Sequence, residues 1–169
     1  MKTVSRTRLV AVVVSAIALG AGSVAIAGYG RKVEKTFRGQ ILITADQLDL
    51  SAGDSDADAI KHCKQAQLKV VKSEEDDGVA TWRFYYTAFF KRQPTGSTVS
   101  LDFYTDDKDK LYVANKKMTG VDPKIRTLQA HVVITEDDGL NPGRKYIVKL
   151  SGTAHGKEVV LAVTKLATK

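Results

Sequence analysis

Val79-Ala80-Thr81-Trp82-Arg83-Phe84-Tyr85-Tyr86-Thr87-Ala88-Phe89-Phe90-Lys91 is the stretch on which the fold turns. Trp82, Phe84, Tyr86, Ala88 and Phe90 share one parity, the period of a β-strand with a buried face. The other parity is mixed, with Tyr85 and Phe89 between Arg83, Thr87 and Lys91. A strand covered in part on both faces sits centrally in a sheet, so this stretch is expected at the centre of its layer.

The same period continues on either side. Asp77-Gly78 is a hairpin signal just before the run, and Gln93-Pro94-Thr95-Gly96-Ser97 is a turn just after it. Short alternating strands are predicted over residues 68–72, 98–104, 111–114, 127–135, 145–150 and 158–166, with a further strand over 35–44. About eight short strands at near-regular spacing, divided by turns, predict an all-β, mainly antiparallel sandwich or barrel. One short inserted helix is expected over 57–67, where Ile60, Cys63 and Ala66 recur at helical spacing behind the N-cap candidates Asp54, Ser55 and Asp56.

The stretch Leu140-Asn141-Pro142-Gly143-Arg144-Lys145-Tyr146 resembles the L-x-P-G-x-x-Y corner of fibronectin type III and related immunoglobulin-like domains. That resemblance implies an immunoglobulin-like β-sandwich in which the Tyr146 hydroxyl bonds back to nearby backbone. It carries no function.

The beginning of the chain reads differently. Lys2, Arg6 and Arg8 precede an uncharged apolar run from Leu9 to Ala27 that closes on Ala25-Ile26-Ala27. This is the three-part pattern of a cleavable secretory signal, predicting a mature N-terminus at Gly28 and a periplasmic or extracellular protein with no membrane span left after cleavage. Residues 28–34 read as a tether and 35–169 as a single domain. The 169-residue chain carries 26 Lys and Arg against 19 Asp and Glu, a formal charge of +7. Without the three cations of the signal the excess falls to +4, too mild and too dispersed for a nucleic-acid binder. Cys63 is the single cysteine, so no internal disulfide supports the fold. It lies on the apolar face of the predicted helix and reads as a buried, inert thiol, with Trp82 as core and Tyr146 as the corner pin.

Catalytic patterns are weak. Cys63 as a nucleophile would need His131 or His155 as base, and neither is placed by its strand or turn to reach a helix core. No His spacing supports zinc, and the paired carboxylates fall in turns rather than a cleft. In Asp54-Ser55-Asp56-Ala57-Asp58 an EF-hand fails, because Ala59 stands where glycine is needed and Gln65 where glutamate is needed. The expectation is a non-catalytic module that binds an envelope or extracellular protein or an anionic polymer.

Charge layout supplies the candidate surfaces. Alternate loops of an antiparallel domain share an end. One end then collects Asp106, Asp107, Asp109, Asp137 and Asp138, which could together supply oxygens to calcium. This is the alternative reading, a calcium-dependent adhesion or lipid-binding domain. The loop 101–109 resembles the acidic loop of a C2 domain. The other end collects Lys116, Lys117, Lys124 and Arg126, which could hold an anionic partner. No other cofactor is expected.

Overall fold

The aromatic run becomes β4 (Val79–Phe89), the centre of one of two sheets in a computed structural model that describes residues 30–49 and 55–169. The signal reading, with its cleavage before Gly28, lies outside the described residues. On one side β4 pairs along most of its length with β7 (Thr127–Thr135). On its other side β1 (Ile41–Thr44) and the short β3 (Glu74–Asp76) follow one another. The second sheet runs β2 (Val70–Val71), β9 (Lys157–Thr168), β8 (Lys145–Ala154), β5 (Val99–Thr105), β6 (Tyr112–Met118). The architecture is the all-β, immunoglobulin-like sandwich that the corner implied, with nine strands among the described residues.

The core lies between the sheets. Trp82, Phe84, Tyr86, Ala88 and Phe90 from β4 and the residue after it meet Val99, Leu101 and Phe103 of β5 and Val148 and Leu150 of β8. Trp82 is fully buried, with an indole N–H that has no acceptor. The opposite face of β4 is also covered, which is why its second parity is aromatic. Phe89 packs there with Val33, Phe37, Leu42, Leu48, Ala59 and Cys63 under two helices. The second of these, α2 (Asp56–Ala66), starts where expected, with the Ser55 side chain accepting from the Asp58 N–H.

The first helix corrects the reading of residues 28–44 as a tether and a long strand. Arg31–Phe37 is α-helical (α1), and the strand begins only at Ile41. Val33 and Phe37 stand four residues apart, so a helix presents both to one side. Both are buried, and the Phe37 and Phe89 rings lie 5.3 Å apart. Gly39, at φ +79°, then turns the chain into β1 in a conformation that suits glycine.

Three smaller corrections follow. The strand expected over 68–72 is reduced to Val70–Val71 and runs parallel to β9. Glu74–Asp76 is a strand rather than a turn, and the turn itself is Asp77-Gly78, both at positive φ as a two-residue hairpin requires. β6 reaches Met118, so Lys116 and Lys117 lie in a strand rather than a loop.

The corner is present. The Asn141 N–H donates to the Tyr146 hydroxyl at 2.8 Å, and Tyr146 is buried. The Thr168 hydroxyl donates to the Asn141 carbonyl at 2.5 Å, tying the end of β9 to the same connection.

Candidate functional site

Strand alternation puts the Asp77-Gly78 turn, the 106–111 loop and the 136–144 connection at one end of the sandwich. The 90–98, 119–126 and 155–156 connections lie at the other, together with α1. At this second end Arg31, Lys35 and Arg38 follow the spacing i, i+4, i+7, which lines one side of a helix while Val33 and Phe37 point to the core. Arg38 is fixed, since its Nε and Nη2 donate to the Lys91 carbonyl at 3.1 and 2.9 Å. Arg126 stands just before β7, and its own carbonyl accepts from the Phe90 N–H.

These four cations surround an open hollow of about 470 Å³, floored by Phe89 and Phe90, with Glu34 as the single acid in its wall among the described residues. All four cations are exposed. An excess of cations over a low-dielectric floor raises the local concentration of anions. The guanidinium groups can in addition grip carboxylate or phosphate oxygens in a fork.

Of the cations expected to form an anion site, only Arg126 enters this hollow. Lys124 lies nearby in the loop that follows Asp122, held by its N–H on the Asp122 carboxylate at 2.8 Å and by its carbonyl under Gln93 Nε2 at 2.7 Å. Lys116 turns away and pairs with Asp138 at 2.9 Å, and Lys117 lines the outer face of the second sheet. The residues missed are Arg31, Lys35 and Arg38. Their signal was the helical spacing itself, hidden by reading the segment as tether and strand.

At the acidic end three of the five candidate carboxylates, those of Asp106, Asp107 and Asp138, are engaged. Asp106 pairs with Lys165 at 2.9 Å. Asp107 accepts from the Thr105 hydroxyl and from the N–H groups of Asp109 and Lys110, closing its own turn. The Thr105 bond, with help from those N–H groups, holds the Asp107 carboxyl below the usual carboxylate range. Asp138 caps Thr135 and receives Lys116; burial alone would raise its carboxyl, but these bonds outweigh it and hold it low. Arg83 takes both Glu74 and Asp76. Asp109 and Asp137 remain exposed. Among the described residues no three His, Cys, Asp or Glu side chains gather in a group that could hold a metal ion.

Cys63 is fully buried in the cluster beneath the helices, and burial pushes its thiol up to about 11. Such a thiol is a poor nucleophile. The His131 ring packs against Tyr85 with centroids 4.7 Å apart and planes tilted by 44°, and His155 sits in the β8–β9 turn at φ 52°. No described helix is long and apolar enough to cross a membrane.

No family model and no curated protein matches the chain. Among solved structures it is similar to an immunoglobulin-like protein from Pseudomonas aeruginosa, at 12% identity over 78% of this chain and 98% of that one, with a TM-score of 0.36.

Proposed function

We propose that the chain is an exported, non-catalytic binding module that holds an anionic segment of an envelope or extracellular polymer in the basic hollow beside α1. The observation that carries this reading is the hollow itself, where, among the described residues, Arg31, Lys35, Arg38 and Arg126 face a single acid, Glu34. A rigid sandwich that presents charged groups from its end connections is a common arrangement for recognition. The basic, apolar and A-x-A segments of residues 1–27 support work outside the cytoplasm.

Binding of the full chain to polygalacturonate and to polyglycerol phosphate, measured across a salt series, tests the proposal. The parent should bind one of them, with affinity falling as salt rises. Arg31→Glu with Lys35→Glu, and separately Arg126→Glu, should each weaken that binding at least tenfold. Both variants change exposed side chains, so their stability should stay within about 0.5 kcal/mol of the parent. Parent-like binding by the double variant would reject the hollow as the site.

A further inference from the structure

The outer face of the second sheet carries an arrangement that the basic hollow does not use. Strand register places its outward side chains in three cross-strand rows. Lys117, Ser100 and Ser151 form the first; Asn115, Asp102 and Lys149 form the second; Tyr112, Tyr104 and Ile147 form the third. At two residues per step the rows cover roughly 14 Å along β5. Beside the first two rows lies an open hollow of about 350 Å³, whose wall includes Asp102, Asn115, Lys117, Ser151 and Glu158.

Asp102 is the unusual member. The residue is only 6% exposed, and among the described residues its side chain takes one hydrogen bond, from the Ser100 hydroxyl to Oδ1 at 2.6 Å, while its other oxygen keeps an opening to solvent. A carboxylate largely withdrawn from water is costly unless its lone pairs are used. The remaining oxygen opens on the hollow, where it can accept further hydrogen bonds. The neighbouring Lys149 ammonium lies over the Tyr104 ring, 4.2 Å from its centre.

The net charge selects the ligand. Asp102 and Glu158 are balanced by Lys117 and Lys149, so the surface favours neither an anion nor a cation. It offers carboxylate acceptors, amide and ammonium donors, hydroxyls that do both, and the Tyr112 ring, more than half exposed at the sheet edge and set edge-on to Tyr104. A ligand that donates and accepts many hydrogen bonds, carries no charge and has one apolar face is a pyranose. We infer that the outer face of the β8–β5–β6 sheet is a binding platform for an uncharged oligosaccharide, with Asp102 accepting from sugar hydroxyls and Tyr112 packing against a ring face.

This platform stands independently of the basic hollow and is tested separately. The full chain is titrated calorimetrically with maltohexaose, cellohexaose and N-acetylchitohexaose. At least one of them should bind. Asp102→Asn, which keeps the shape and removes the charge, should weaken that binding at least tenfold. Tyr112→Ala, at an exposed edge position, should weaken it severalfold. The Arg31→Glu and Lys35→Glu double variant should bind the same sugar like the parent. If none of the three hexasaccharides binds, or if Asp102→Asn and Tyr112→Ala bind like the parent, the inference is overturned. Should Asp102→Asn fail to fold, the Tyr112→Ala result decides.

Discussion

Tyr146→Phe removes one oxygen from the molecule and nothing else. That oxygen accepts the Asn141 N–H at 2.8 Å, while the ring that carries it is 2% exposed and stays in place as phenylalanine. Asn141 itself is exposed, so its freed N–H can turn partly to water and escapes the full penalty of a buried orphan. The expected loss is therefore that of an ordinary hydrogen bond, about 0.5–1.5 kcal/mol. For a chain of this length that corresponds to a fall in melting temperature of roughly 1–6 °C. Urea unfolding followed by circular dichroism should show a lower midpoint with an unchanged slope, because the surface exposed on unfolding is the same. Trp82→Ala gives the scale: it empties the centre of the core and should cost about 3–5 kcal/mol. Trp82→Phe should cost clearly less, since it also removes an indole N–H that has no partner. A Tyr146→Phe midpoint equal to that of the parent would mean that the corner does not pin the β7–β8 connection.

Cys63 should react slowly with a thiol reagent at pH 8 in the native protein and at once in denaturant, because its pKa of about 11 and its burial both suppress the thiolate; rapid native labelling would refute the buried cluster. The Asp138 carboxyl is held below its ordinary value of 3.8, so its contribution to stability is complete above that pH and is lost as pH falls below it. Asp138→Asn should accordingly lose less stability than the parent on acidification below that point, and equal acid sensitivity would contradict the Lys116 and Thr135 contacts as the cause. Protein recovered from outside the cytoplasm should have the intact mass of a chain beginning at Gly28, and a species that retains Met1 would refute cleavage.

The β4 layer was legible because an alternating aromatic face has few other solutions, and the corner because proline, glycine and tyrosine at that spacing constrain backbone directly. The helix α2 was legible from its Ser55 cap. Helix α1 was not: seven residues with a single apolar pair, Val33 and Phe37, stand among charges, and that pair is buried in the cluster with Phe89, Leu42 and Leu48. Short helices draw their stability from tertiary contact rather than propensity. The parallel pairing of Val70–Val71 was hidden for a related reason, since strand order is a property of the assembled sheets. The ends of the sandwich were placed correctly by alternation, but the charges did not all stay where counting put them. Lys116 and Lys165 reach Asp138 and Asp106 at the acidic end and neutralise that end in part, while α1 and the residue after it bring Arg31, Lys35 and Arg38 to the other.

The basic hollow is tested most directly by mapping backbone amide shifts of the isotopically labelled full chain during titration with polygalacturonate. Shifts should concentrate on Arg31, Lys35, Arg38 and Arg126 and fade as salt is added. Shifts centred on Asp106–Lys110 and the 136–144 connection, or on the outer face of the second sheet, would contradict the account.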